Sequence, residues 1–530
     1  MNRKLRIKTL VISLFLLFFI GMGVFFYMGI SARERVTEVD LYSLIPSGST
    51  AVFETNDLTT LIKEINNAIC SKELSSLGLS RIANDLREHF DELTMSAPHG
   101  LSPRMNRMLI SFHPPGTDLD QVLYFCTTPR DEEWIEQQIQ KNRPIDFPLK
   151  TASYKGEEIQ ICPMGGDVFL CYYKSAGFVA ASYSKRLIEQ VIDTRISGKS
   201  VLSDPVFGLF RDHKSFNSIA SLHLKMKQVG WSELNLKFGR DAVYLSGITM
   251  DADTSSSFVN ALKEQSPIEL ISGKEFPRST YYMNEMSISQ FEYIAANSAQ
   301  REYALALYSD DVKRTDIHIM RFLKRNASNR LAGISFYPED SIRRPLSLLY
   351  IPVKDSVKAE KDLHMLIQND ILQTKIPAPH KAQLLFAGSK SYYLYSLPQN
   401  TVFSQLSGIN DADLNSYAVF YKNLLLIAPE PVSILSYITQ VEKAQVIEGN
   451  NIYQECISHL APHSNYMLMA NIGEVSLHSE SRSRLIPDFF FQHIDFFSHF
   501  ILSNQFVYKD GVIYPNLTLT YKENKSGAPQ

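Results

Sequence analysis

The chain lacks every short motif that would announce a common catalytic centre. Gly-x-Ser-x-Gly, His-Glu-x-x-His, a P-loop and a strand-to-helix Gly-x-Gly-x-x-Gly are all absent. No catalytic, cofactor-binding or metal-ligating residue is therefore assigned, and the chain reads as not an enzyme. A hydrolase with a site assembled from distant residues ranks last, since sequence alone cannot display such a site. Cysteine is scarce. Cys70, Cys126, Cys162, Cys171 and Cys456 form an odd set without a Cys-x-x-Cys pair, which excludes a disulfide framework. Cys126, Cys162 and Cys171 lie in strand-like apolar runs and read as buried thiols, with a Cys162–Cys171 bridge as the alternative.

A strong charge of either sign is missing too. The 530 residues carry 53 Lys and Arg against 56 Asp and Glu, a net charge of −3. Four of the basic residues, Arg3, Lys4, Arg6 and Lys8, sit at the extreme N-terminus, so the remainder of the chain is mildly acidic. That balance argues against a nucleic-acid partner and against a polybasic lipid-binding surface. Metal spacing is also absent. His493 and His499 are six residues apart, off the i,i+3 and i,i+4 spacing of one helical face. Asp251-Ala-Asp253 and Asp411-Ala-Asp413 do not continue into a calcium loop. Ser203-Asp204-Pro205 reads as a helix start, with a capping side chain before a first-turn proline.

What is present begins with an apolar run. Leu10 to Ile30 holds no charge, and at helical rise it spans roughly 30 Å, about one bilayer core. Basic residues precede it, so the positive-inside rule predicts an uncleaved signal anchor with a cytoplasmic N-terminus at 1–9. The run is long for a signal peptide and its cleavage pattern is poor. The bilayer is the first expected partner, through this helix.

Four blocks then recur in one order, which is the signature of a tandem repeat. Ile45-Pro46-Ser-Gly-Ser-Thr50 and its strand match Phe276-Pro277-Arg-Ser-Thr280. Ile110-Ser-Phe-His-Pro114 matches Ile334-Ser-Phe-Tyr-Pro338. Phe178-Val-Ala-Ala-Ser182 matches Leu425-Leu-Ile-Ala-Pro429. The stretch from Asp241 to Thr249 matches that from Asp510 to Thr518. The expected layout is a linker at 31–43, a first module at 44–251, a bridging helix at 252–275, a second module at 276–522 and a disordered tail at 523–530. The predicted fold class is α+β: an N-terminal transmembrane helix, then two tandem copies of a mainly antiparallel sheet module with helices packed on one face. The copies differ by an aromatic insertion at 480–503. There Ile486, Phe489, Phe490, His493, Phe496, Phe497 and Phe500 follow helical spacing on one broad face. These seven residues are the candidate interaction surface. Core packing is the commoner fate of such a stripe.

Three segments of the first module carry a family resemblance: Ile45–Thr50, Val179-Ala-Ala-Ser182, and Lys199-Ser-Val-Leu-Ser-Asp-Pro-Val-Phe207. Coming after an N-terminal apolar run, they resemble a bacterial envelope family of unknown function, domain of unknown function 3352. The second module departs from it, with Glu448-Gly-Asn-Asn-Ile-Tyr453 where the Asp-Pro segment would fall. The resemblance implies a single-pass protein of the bacterial inner membrane with its bulk in the periplasm, and supplies no catalytic residues. The resulting expectation is a non-enzymatic binding or scaffolding protein of the cell envelope with another envelope protein as partner. The alternative is a carrier or sensor of an apolar ligand, a lipid or peptide, in a groove near residues 486–500.

Overall fold

The computed structural model describes residues 22, 39–67, 80–88, 102–142, 149–164, 168–210, 218–226, 230–250, 261–262, 265–271, 273–291, 308–339, 344–374, 383–407, 414–478 and 486–522. The predicted anchor, apart from Met22, and the tail 523–530 lie outside them, as do the Asp251 and Asp411 segments. Among the described residues no helix is long and apolar enough to cross a membrane.

The first half contains β1 (Ala51–Thr55), α1 (Leu58–Asn67), α2 (Arg81–Glu88), β2 (Met108–Phe112), β3 (Gln121–Cys126), α3 (Pro129–Asn142), β4 (Lys150–Tyr154), β5 (Glu157–Pro163), β6 (Phe169–Ser175), β7 (Phe178–Ser182), α4 (Lys185–Ser197), α5 (Pro205–Phe210), β8 (Ala220–Met226), β9 (Gly230–Phe238) and β10 (Ala242–Met250). A two-residue strand, β11 (Ile268–Glu269), comes next. The second half contains β12 (Tyr282–Ser287), α6 (Asp310–Asn326), β13 (Arg330–Phe336), β14 (Leu346–Pro352), α7 (Ser356–Thr374), β15 (Gln383–Ala387), β16 (Lys390–Leu397), α8 (Val402–Leu406), β17 (Ser416–Tyr421), β18 (Leu424–Ala428), α9 (Pro431–Glu442), α10 (Asn451–Ser458), β19 (His463–Ser464), β20 (Tyr466–Asn471), α11 (Ile472–Leu477), α12 (Asp488–Gln492), α13 (Ile494–Phe497), β21 (Phe500–Lys509) and β22 (Val512–Tyr521).

The α+β character stands, but the expected fold class needs correction. There are not two separate sheets. Among the described residues twenty strands form one sheet in which every pairing is antiparallel. From its free edge inward the first half runs β4-β5-β6-β7-β3-β2-β1-β8-β9-β10. The second half runs β15-β16-β17-β18-β14-β13-β12-β20-β21-β22. The innermost strands, β10 and β22, pair with Leu245 beside Leu517. Antiparallel pairing of equivalent strands places a local two-fold axis at the centre, the arrangement of an isologous dimer within one chain.

Helices cover both faces, not one. On one face, a shared core joins Leu61 of α1 and Ile110 of β2 with Leu323 of α6, Leu363 of α7 and Phe490 of α12. On the other, each half keeps its own core: Ile188 and Val191 of α4 against Val52, and Ile434 and Tyr437 of α9 against Met283. This double cover explains why β2, Met-Leu-Ile-Ser-Phe, shows no polar alternation and is buried throughout. The predicted linker ends at a buried 3-10 turn, Leu41–Leu44, capped by Asp40. Within the predicted bridge, Ala261 and Leu262 are helical, while β11 pairs with β19.

Strand pairing also resets the alignment of the halves. Pro46 bridges Ser200 as Pro277 bridges Val446. Val52 pairs with Ser111 and Met283 with Ile334, so Ser111 is the counterpart of Ile334. Matching Ile110 to Ile334 slips by one residue and would exchange the two faces of the sheet. Ile110 indeed lies in the shared core and Ile334 in the opposite one.

Candidate functional site

The seven residues predicted as an interaction surface lie inside the protein. Ile486, Phe489, Phe490, His493, Phe496, Phe497 and Phe500 are each 7% exposed or less. The expected single helix is two short ones, α12 and α13, broken at His493 (φ −112°, ψ 45°), with Phe500 already in β21. The break converges the rings. Phe490 meets Phe497 edge-on at 4.6 Å, and Phe489 meets Phe112 of the first half at 5.1 Å. Each such pair adds about 0.5–1.5 kcal/mol beyond burial. Gly116 (φ +94°) lets this segment approach the β2–β3 loop, since a Cβ there would come within 2.6 Å of the Gln492 side chain. Burial lowers the His493 pKa to about 4, against the opposing charge of Asp120. The segment is therefore a plug sealing both halves into the shared core, with its rings packed on one another instead of walling a groove.

The same insertion begins earlier than predicted, directly after β20, and its first helix does face a cavity. β8 and β9 are joined by residues 227–229 alone, whereas β20 and β21 enclose α11, α12 and α13. The Tyr337 hydroxyl donates to Glu474 Oε2 of α11 at 2.7 Å and lies 2.9 Å from His478 Nε2. Tyr281 stacks on the Tyr337 ring at 4.9 Å. Ser279 holds this corner by donating to the Tyr337 carbonyl at 2.6 Å. Lys522, just past β22, reaches in and donates from Nζ to Asn471 Oδ1 at 2.8 Å. Burial pulls the Lys522 pKa below the usual lysine range, with Glu474 opposing that shift. Tyr453, Ile452, Met469 and Ile501 complete a cavity of about 470 Å³, with Arg278 at its rim. Arg278 also borders a neighbouring cleft of about 640 Å³ that carries Lys274, Lys422 and Glu448.

The equivalent place in the first half is filled. Lys225 N–H bonds the Thr50 carbonyl as Asn471 N–H bonds that of Tyr281. Lys225 pairs with Trp231 as Asn471 pairs with Ile501. Trp231 is 1% exposed and donates from its indole to Asp204 Oδ2 at 3.0 Å. Lys225 covers the indole face and reaches Asp204 at 3.4 Å. Asp204 also caps α5 through Val206 N–H at 3.0 Å, as its sequence context predicts. In the second half Asn450 caps α10 in the same way, through Ile452 N–H at 3.0 Å, but Ile501 is far smaller than an indole and the space stays open.

A second contrast lies one strand away. Glu54 and Glu285 occupy equivalent positions, beside Val52 and Met283 on β1 and β12. Glu54 is held by Arg107 at 2.9 Å and by the Tyr42 hydroxyl at 2.5 Å, with His223 also 3.1 Å from that hydroxyl. Among the described residues Glu285 receives only the Ile271 N–H, at 3.0 Å to each oxygen. Burial pushes its carboxyl up to about 7; the Ile271 N–H and the charge of Arg330 oppose this.

None of the four described cysteines is in a disulfide with another described residue. Cys171 faces Ile161, which places the adjacent Cys162 on the opposite face of the sheet and rules out the Cys162–Cys171 bridge. Among the described residues no group of three or more His, Cys, Asp or Glu is placed to hold a metal. No family model, curated protein or solved structure matches this chain.

Sequence reasoning missed Tyr337, Glu474 and Lys522. They come from just past β13, from α11 and from just past β22, so no local pattern unites them. One signal was available: the insertion contains more than its aromatic stretch, and Ile472-Gly-Glu474 begins it.

Proposed function

We propose that the chain is a non-enzymatic binding protein whose ligand occupies the second-half cavity beneath α11. The observation that carries this reading is the paired site. One fold position is packed shut by Trp231, Asp204 and Lys225, while its counterpart is open at Ile501, Asn450 and Asn471. A cavity of this size with a few convergent polar groups is the usual form of a small-molecule site. Burial holds the pKa of Tyr453 in its wall above the usual tyrosine range, which suits that phenol to orienting a guest and not to acting as a nucleophile.

The test is a thermal-shift screen of the full chain against amino acids, N-acetyl amino acids, dicarboxylates, short peptides and fatty acids. Ile501→Trp, which installs the first-half residue, is the control. At about a hundred times its Kd, a ligand stabilises the folded state by about 2.7 kcal/mol. The reading expects at least one class to raise the wild-type midpoint and to leave Ile501→Trp unmoved. Equal shifts in both proteins, or none in either, would refute it.

A further inference from the structure

We infer that the second-half cavity takes a ligand bearing a single carboxylate, seated on the Lys522 ammonium with an apolar body against the tyrosine wall. The inference rests on the cavity being the binding site. Lys522 is half-buried, and among the described residues its ammonium has one hydrogen-bond partner, the neutral Asn471 amide. Among the described residues no carboxylate lies within ion-pair distance of it. An ammonium drawn out of water needs a counter-charge or further acceptors. The open side of this one is the cavity.

The charge of the wall sets the charge of the guest. Lys522 and the exposed Arg278 are cationic, and Arg278 also makes no ion pair among the described residues. Glu474 is the one carboxylate among the described lining residues, and it already accepts from Tyr337. The lining thus holds one net positive charge. A monoanion neutralises it, whereas a phosphate dianion would leave an excess negative charge facing Glu474. Ile452, Met469 and Ile501 offer apolar surface beside the Tyr281–Tyr337 stack. In the first half the same problem is solved internally. Lys225, at the position of Asn471, has Asp204 at 3.4 Å as its counter-ion. The second half replaces Asp204 by neutral Asn450 and leaves the balancing anion to come from outside.

The probes are N-acetylphenylalanine, its neutral amide, and a tetrapeptide ending in Phe with a free or an amidated C-terminus. Isothermal titration is run on the full chain, Lys522→Met, Lys522→Arg and Ile501→Trp, each checked for fold by circular dichroism. The expected result is binding of the acid, at least about tenfold weaker binding of the amide, a similar loss in Lys522→Met and substantial rescue in Lys522→Arg. Binding of the free-ended tetrapeptide would assign the carboxylate to a peptide terminus; its exclusion would assign it to a small acid. Equal affinity for acid and amide, abolished by Ile501→Trp, would overturn the carboxylate inference and leave the cavity reading standing. Undiminished acid binding by Ile501→Trp would overturn the cavity reading itself. Absence of acid binding at millimolar concentration would overturn the inference without any variant being needed.

Discussion

Trp231 and Ile501 hold the same place in the two halves, and so do Glu54 and Glu285. In the first half both positions are closed: the indole bonds Asp204 and the carboxylate bonds Arg107 and Tyr42. In the second half both are less completely satisfied among the described residues, with open space at Ile501 and only a backbone donor for Glu285. The same topology therefore supports a half tuned for packing and a half with unspent polar capacity. The lesson is that a duplicated framework shows its specialised site by subtraction. What the first half fills, the second leaves available.

The largest expected effect tests the plug that joins the halves. Phe490→Ala removes a ring that is 1% exposed and packed against Phe497, and should cost about 3–5 kcal/mol in urea denaturation. A loss below about 1 kcal/mol would separate the insertion from the shared core. Next comes the pH response of the unequal carboxylates. The Glu285 carboxyl titrates at about 7 when folded and near 4.5 when unfolded, so the folded state holds its proton more tightly. Its contribution is full below pH 4.5 and is lost as pH rises through 7, a change of roughly 3 kcal/mol. His113 and His493, both lowered to about 4 by burial, act with the opposite slope, destabilising the fold as pH falls below 6.5. The informative quantity is hence the difference between wild type and Glu285→Gln. That difference should grow in favour of the variant between pH 4.5 and 7, and a flat difference would refute the assignment.

Glu54→Gln should behave differently from its counterpart. It leaves the Arg107 guanidinium, one third exposed, without its ion-pair partner. A cost of about 2 kcal/mol at neutral pH is expected, discounted for that exposure. Equal effects of Glu54→Gln and Glu285→Gln at pH 7.5 would erase the contrast between the halves. The smallest effect concerns the outer hairpins. Leu384, Phe386 and Tyr393 are exposed on β15 and β16, whereas Ser153, Lys155 and Glu158 hold the matching places at the first-half edge. Phe386→Lys should shift stability by less than about 0.5 kcal/mol, because the ring is 65% exposed. A larger loss would show that this ring is covered in solution.

Much of the local structure was legible. The Ser-Asp-Pro cap, the strand character of Met108–Phe112 and the apolar stripe of residues 486–500 all come from composition and spacing. The role of that stripe did not. Seven apolar-facing residues look alike whether they face a partner or a core, and only their contact with Phe112 decides between the two. The alignment of Ile110 with Ile334 failed for a related reason. Similar apolar tetrads fit a strand buried on both faces in either register, so identity of residues cannot reveal which side each one faces.

The sequence by itself determined an α+β chain rich in strand-forming runs, whose segments recur in one order and whose second half carries extra aromatic length. Local periodicity and residue type suffice for that, because they act over a few neighbours. The tertiary structure alone decided that β10 and β22 fuse the halves into one sheet, that helices take both faces, and that the place held shut by Trp231 stands open beside Ile501. Those outcomes depend on side-chain volume and charge among residues far apart in the chain, such as Tyr281, Tyr337, Glu474 and Lys522. Only the packed chain brings such residues within reach of one another.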